Sequence, residues 1–392
     1  MTIEGELIVR LEHSGRRVRR VTVRSTRPYA ASRVVLGRPP AEAVAMVPSL
    51  FGICAHAQGA AAALAVEAAT GRSPEAESLA AREAAVVLET IQEYLWRLLV
   101  DWPQAAGHDA QIEPVASARR SIAPLLASLA PLARRIAGNG MDAAPEIPEE
   151  TVTSLVGLAA QYVYGITPKQ WLAATGHDAV AAWAASAATE PARLLRDLLA
   201  RAPELGRSKV ALMPSSEPAA LLAAVVPAMR LDPAFERVPT WAGATAETGA
   251  LARTCSHPIV ATFVAEHGNA VPTRMVARLT ELALLLGRLS LRPGLGAVQR
   301  WTESIRLAGG EGIAAVQTAR GLLLHRATVT EGRVAGYQIV APTEWNFHPE
   351  GALVRGLEGA TATDAMALER DARLIVQALD PCVACRVEVA GA

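Results

Sequence analysis

Residues 379–385 read Leu379-Asp380-Pro381-Cys382-Val383-Ala384-Cys385, and with Phe51-Gly52-Ile53-Cys54 near the other end they decide how the chain is to be folded. Two residues between Cys382 and Cys385 let both thiolates reach one soft metal ion at about 2.3 Å. That alone is half of a site. A redox pair would open a helix, where the dipole lowers one thiol pKa, but only seven residues follow Cys385. A zinc ribbon needs a second pair, and Cys54 and Cys255 stand apart from each other. Two ordinary buried thiols are the bland alternative, so the rest of the chain has to decide.

Composition removes several classes of function. In 392 residues, 38 basic and 38 acidic side chains cancel, leaving no net field to gather phosphate, nucleic acid or an anionic membrane. Alanine supplies most of the apolar share, and charge or proline interrupts every apolar run before the roughly 18 residues a membrane span needs. The acidic start, Met1-Thr2-Ile3-Glu4-Gly5-Glu6, lacks the basic and apolar regions of a secretory signal. Four cysteines are too few for a disulfide scaffold of this length, which points to a reducing, cytoplasmic compartment.

Working back from Cys382, helical spacing runs from about Thr361 to Leu379. Before it, Ala327–Val329, the Glu331-Gly332 turn and Gly336–Val340 read as a hairpin ending at Ala341-Pro342-Thr343. Residues 5–25 form another: Leu7, Val9 and Leu11 alternate with other residues, His13-Ser14-Gly15 turns the chain, and Val18, Val21 and Val23 resume it. Its run Arg16-Arg17-Val18-Arg19-Arg20 reads as a solvated edge that discourages strand pairing. Between the hairpins the spacing is helical over 39–205, as in Pro74–Val100 and Asp178–Arg201, and again over 273–289. Pro48, Pro103, Pro124, Pro131, Pro168 and Pro191 fall where helices are expected to end. Pro203–Pro239 is mixed in pattern and receives no assignment. The expectation is a mainly α (α+β) chain of one domain. Residues 1–35 form a β-hairpin region, 36–310 a helical body, and 311–392 a hairpin, a C-terminal helix and the CxxC pair.

These segments, in this order, resemble the large subunit of nickel-iron hydrogenases. Asp380-Pro381-Cys382-Val383-Ala384-Cys385 is similar to its C-terminal D-P-C-x-x-C signature, and Phe51-Gly52-Ile53-Cys54 to its first motif with the leading cysteine missing. Thr2-Ile3-Glu4-Gly5 resembles its R-I-E-G-H segment, and Glu247-Thr248-Gly249-Ala250-Leu251-Ala252-Arg253 its E-x-G-x-L-A-R segment. Ala319-Arg320-Gly321 and Pro342-Thr343-Glu344-Trp345-Asn346 resemble the stretches that carry an arginine and a hydroxyl over the active site.

In that family two cysteines bridge nickel and iron and two bind nickel alone. The resemblance implies that Cys54 and Cys385 bridge and that Cys382 is one nickel-only ligand. The other nickel-only position is Phe51, whose ring donates no lone pair, so nickel would have three thiolates at most and is not expected. The family's iron carries one carbonyl and two cyanides, and the anionic cyanides need donors once out of water. Arg320 and Thr343 stand where the family places those donors, at about 1.5–3 kcal/mol for each charged hydrogen bond, and the resemblance implies Pro342 as a further cofactor contact. Glu388 replaces the family's C-terminal histidine and Ser32 its magnesium-binding acid, so magnesium is not expected either. With only Val389-Ala390-Gly391-Ala392 beyond, the usual proteolytic removal of an extension is not expected. Gln58 stands where a histidine is usual, and His56 is a candidate substitute ligand, although a helix-face histidine is commoner.

The pattern resembles assembly scaffolds of the HupK or HoxV kind. The resemblance implies a non-catalytic carrier that takes the Fe(CN)2(CO) unit from hydrogenase maturation chaperones and the iron-cofactor assembly complex, and passes it to the large subunit. A hydrogen-binding enzyme or sensor with an altered nickel site, and a metal-free structural pseudo-subunit, are the alternatives. Bland readings stand beside these: Cys255 as a buried thiol, Glu4 as a structural hydrogen bond, Arg320 as a surface arginine, and Trp96, Trp102 and Trp345 as core or interface anchors.

Overall fold

The computed structural model describes residues 5–136, 146–214, 218–289 and 300–391, so the segment Thr2-Ile3-Glu4 lies outside the described residues. The two ends of the chain meet in one small sheet. Strand Glu6–Ser14 pairs antiparallel with Arg17–Ser25, as the alternation of Leu7, Val9 and Leu11 requires, and those three side chains are buried. A strand the sequence reading lacked, Ala384–Gly391, adds parallel to Glu6–Ser14 on its other side, with Leu7 opposite Cys385. Its signal was present in the alternation of Cys385, Val387 and Val389 with Arg386 and Glu388. The arginine-rich edge is not wholly solvated either. Val18 donates its amide to the Ala360 carbonyl at 2.9 Å, and Ala362 donates to Arg16 at 3.0 Å.

The body is helical, as expected. Helix Ala55–Thr70 is alanine-rich and buried on every side from Ala57 to Ala69, the pattern of a helix inside a core rather than on it. Helix Ala76–Trp96 runs on through a π-helical turn at Arg97–Asp101. Pro124 and Pro131 do not end a helix; both lie within Ile112–Arg134. Proline at i frees the carbonyl of i−4, and here those carbonyls, of Arg120 and Ala127, belong to exposed residues, on the solvent side rather than in the core. The stretch Asp178–Arg201 is two helices, Gly176–Ser186 and Glu190–Arg201, the second opened by the Thr189 hydroxyl, which accepts from the Ala192 amide. Pro203–Pro239 contains the helix Pro218–Leu231 and a two-residue strand, Ala211–Leu212, paired with Ala246–Glu247.

The second hairpin, Gly321–Thr330 with Arg333–Val340, belongs to a four-stranded antiparallel sheet that also holds Thr302–Arg306 and Glu311–Thr318. The sheet therefore begins inside the span read as helical body. Gly312-Ile313-Ala314-Ala315-Val316 is buried without alternation, because helix Ala55–Thr70 packs on one face of the sheet. On the other face a second cluster, including Val225, Phe235 and Trp345, packs against Ile313 and Ala315. A strand covered on both faces loses the period of two that betrays it. Among the described residues no helix is long and apolar enough to cross a membrane.

Candidate functional site

The C-terminal signature is held from behind by buried charge. Helix Ala365–Leu379 ends at Asp380, whose backbone turns left-handed at φ 57°, a conformation aspartate tolerates better than most residues. The Asp380 carboxylate sits 2.6 Å from Arg97, 3.2 Å from Arg320 and 3.4 Å from Arg278. Burial opposes its charge, but the guanidiniums of Arg320, Arg97 and Arg278 hold its carboxyl below the usual range. Arg320 is buried, not a surface arginine; its Nη2 donates to Glu93 at 2.9 Å, and the Nε that faces Asp380 also donates to the Pro381 carbonyl at 3.4 Å. The segment Glu247–Arg253 is likewise fixed by buried pairs, Glu247 to Arg274 at 2.7 Å and Arg253 to Glu281 at 2.6 Å.

This fixed exit aims Cys382 into a cavity of about 50 Å³ that Cys54 and Phe51 also line. The Cys382 sulfur accepts from the Thr343 hydroxyl at 2.9 Å and from Arg27 Nη1 at 3.4 Å. Arg27 also pairs with Glu344 at 3.0 Å, another residue of the cavity wall. Cys54 stands at the N-cap of Ala55–Thr70 and accepts from Gln58 Nε2 at 3.6 Å. Gln58 Oε1 lies 2.8 Å from His325 Nε2, and His325 Nδ1 lies 2.8 Å from the Tyr337 hydroxyl. Burial pushes His325 down to about 3, so its ring is neutral. With Nε2 donating to Gln58, Nδ1 accepts from Tyr337, and the amide is fixed with its NH2 toward Cys54. Burial first, and then the neighbouring Cys382, push the Cys54 thiol up to about 12.

Cys385 faces elsewhere. It lines an adjoining cavity of about 630 Å³ with His56, Glu89, Glu93 and Arg97; Gly52, Ile53 and Val383 border both spaces. Burial pushes its thiol up to about 12 as well, with Arg373 opposing and Glu6 adding to the shift. Among the described residues the three sulfurs form no group with all ligand atoms within 4.8 Å. Thus Cys54 and Cys382 are brought together on one cavity, and Cys385, expected as the bridging partner of Cys54, is not on it. Arg320 and Thr343 are likewise engaged by protein groups, the first by carboxylates and the second by Cys382. Pro342 opens the short helix Pro342–Asn346 that presents Thr343.

The remaining candidates fall into place around these. His56 is half-buried at the start of its helix, where its amide donates to Glu89 at 2.9 Å, and burial and Arg134 lower its pKa. Cys255 is half-buried rather than buried, with its sulfur 3.4 Å from the Ala252 carbonyl. Trp102 and Trp345 are core residues, and Trp96 stacks under Arg119 at 4.4 Å. Glu388, in place of the family histidine, pairs with Arg386 at 2.7 Å on the C-terminal strand. Arg27 and the Gln58–His325–Tyr337 chain were missed as a unit; their partners lie far along the sequence and no local pattern marks them.

Comparison with known proteins assigns the class. The nickel-dependent hydrogenase family matches residues 295–388. The reduced nickel-iron-selenium hydrogenase of Desulfovibrio vulgaris Hildenborough superposes with a TM-score of 0.65 at 17% identity, covering 96% of this chain and 98% of that one. The Desulfomicrobium baculatum enzyme gives 0.60 at 16% identity, over 95% of each chain. The fold is that of a nickel-iron hydrogenase large subunit. Relatives narrow it further. Hydrogenase expression/formation protein HoxV of Cupriavidus necator is 33% identical over 93% of this chain and 91% of its own length. HupK of Rhizobium leguminosarum bv. viciae is 31% identical over 94% and 92%. The chain belongs to this family of hydrogenase expression/formation proteins.

Proposed function

We propose that the chain serves nickel-iron hydrogenase maturation as a non-catalytic scaffold, holding the Fe(CN)2(CO) unit as cargo until it passes to the large subunit. The observation that carries this reading is the shared cavity of Cys54 and Cys382, with Thr343 and Arg27 donating to one sulfur and Gln58 to the other. Cys54, held as a thiol by burial, has to release its proton when it ligates metal, so capture is coupled to pH and acid favours release. A carrier needs a route to release. Cys54 and Cys382 meet the iron first on this reading, and Cys385, beyond Val383, offers a thiol on the adjoining cavity. Phe51, which lines the same cavity, takes the place a fourth thiolate would need for a nickel cage. Maturation chaperones and the iron-cofactor assembly complex would supply the unit, and neither a nucleic acid nor a membrane span enters the scheme.

The test is an infrared spectrum of protein purified anaerobically from cells making the hydrogenase, with its iron-to-nickel ratio. Bands for bound CO and CN and iron without stoichiometric nickel are expected, abolished by Cys54→Ala and by Cys382→Ala. Native material without such bands refutes the carrier reading and leaves a metal-free pseudo-subunit. Stoichiometric nickel with hydrogen-dependent dye reduction would instead establish an enzyme or sensor.

A further inference from the structure

A second group of metal-ligating side chains shares no residue with either cysteine cavity. Helix Gly176–Ser186 begins beside His177 and helix Pro258–His267 ends at His267, so that two imidazoles meet. Nε2 of His177 lies 3.1 Å from Nε2 of His267, and the Phe263 ring lies against both, with centroids at 4.7 and 5.6 Å. On the other side of the His177 ring, Nδ1 is 3.5 Å from a Glu266 carboxylate oxygen and 3.5 Å from Asp178. Ligand atoms of His177, Glu266 and His267 all lie within 4.8 Å of one another.

We propose that His177, His267 and Glu266 bind one divalent first-row cation of the zinc, nickel or cobalt kind. Such ions bind imidazole nitrogen at about 2.0–2.1 Å, and two bonds of that length at a tetrahedral angle separate the nitrogens by about 3.3 Å. The observed pair opens by a few tenths of an ångström to admit the ion. The Asp178 carboxylate on Nδ1 keeps the proton there and leaves the Nε2 lone pair of His177 pointing at His267, the arrangement that orients metal-bound histidines, while the other oxygen of Glu266 lies 4.0 Å from His267 Nε2. Without an ion, His267 donates its Nε2 proton to that lone pair; with one, the proton moves to Nδ1 or to solvent and both lone pairs face the metal. Arg207, whose charge acts on His267, is paired with Glu204 at 2.5 Å. Magnesium and calcium are disfavoured, since both select all-oxygen sites.

The test is a cobalt titration of the chelator-treated full chain, followed by calorimetry and visible absorption. One equivalent should bind with ligand-field bands and without thiolate charge-transfer bands. His177→Gln and His267→Gln should each weaken binding more than about tenfold, Glu266→Gln less, and Cys382→Ser not at all. Should a histidine variant unfold, the imidazole 15N shifts of His177 and His267 in the unaltered chain, read on adding zinc, decide the matter. Unchanged shifts, unchanged affinity in both histidine variants, or charge-transfer bands as the sole signal would overturn the site.

Discussion

The Thr343 hydroxyl donates to the Cys382 sulfur across 2.9 Å, and the Cys382 amide donates to the same oxygen at 3.1 Å. One side chain thus fixes both the backbone and the sulfur of the cysteine that faces the cavity. Hydrogen bonds to a metal-bound sulfur disperse its charge and hold its direction, so on the proposed carrier reading Thr343 would support the cargo through Cys382, with or without a contact to a cyanide.

Thr343→Val keeps the shape and removes both bonds. The buried Cys382 amide loses its partner, at a cost of about 1–3 kcal/mol, read as a lower urea midpoint. The iron-to-protein ratio after gel filtration should fall, and Thr343→Ser should restore it. Iron retention equal to that of the parent in the valine variant would show that the hydroxyl does not serve the cargo.

Asp380→Asn removes the anion that Arg97, Arg278 and Arg320 share; Arg97 keeps Asp101 and Arg320 keeps Glu93, so the lost counter-charge falls mainly on Arg278. A loss of about 3–5 kcal/mol is expected. The native carboxyl lies below its unfolded value near 3.9, so its contribution is fully present above that pH and disappears as pH falls through the lower folded value. Urea unfolding of the parent between pH 5 and 2 should therefore show an acid limb that the variant lacks.

Glu89 works in the opposite sense. Its carboxylate accepts from the amides of His56 and Ala57 at 2.9 and 3.0 Å, yet burial pushes it up to about 7 from 4.5. The native state then holds a proton that the unfolded chain has released, so stability declines as pH rises from about 4.5 to 7 and is flat beyond. Glu89→Gln should abolish that slope, and a slope of unchanged size would assign it to another group.

The hairpins at residues 5–25 and 327–340 and the D-P-C-x-x-C signature were legible because each is a local pattern. Contacts that make the site are not local. Arg27 is 355 residues from Cys382 and 317 from Glu344, and nothing in Thr26-Arg27-Pro28 announces either partner. Cys385 carried the expectation of bridging with Cys54. The unforeseen strand Ala384–Gly391 sets it opposite Leu7, and its cavity neighbours include His56 and Glu93. Strand Glu311–Thr318 escaped notice because burial on both faces erased its alternation, and Pro124 and Pro131 misled because their lost hydrogen bonds fall on a wet face.

Gly312 marks where that strand touches helix Ala55–Thr70. A methyl group there would lie 2.3 Å from the Ala65 carbonyl oxygen and 2.3 Å from the Ala69 amide, so helix and sheet must separate. Gly312→Ala should cost about 1–3 kcal/mol or more by overpacking, visible as a lower thermal midpoint. Because the same helix carries Cys54 at its N-cap and Gln58 one turn on, alkylation of Cys54 should quicken as well. A variant as stable as the parent would mean that the sheet yields without disturbing the helix.

Phe51→Cys tests why nickel is not expected. Phe51 is half-buried after the turn Val47–Leu50, in extended backbone at φ −136°, ψ 111°, and lines the cavity with Cys54 and Cys382. Its ring supplies no electron pair and occupies the space a further ligand would use. A thiol in its place is smaller and adds a soft donor to a site that already has two sulfurs on the same wall, which favours nickel or zinc over harder ions. Nickel added to the chelator-treated variant should give thiolate-to-nickel absorption and retention through gel filtration, while the parent retains none at its cysteines. Phe51→Ala opens the same space without a donor and separates room from ligation. If the alanine and cysteine variants take up nickel equally, the ring was only an obstacle; if neither does, the cavity walls and not Phe51 keep nickel out.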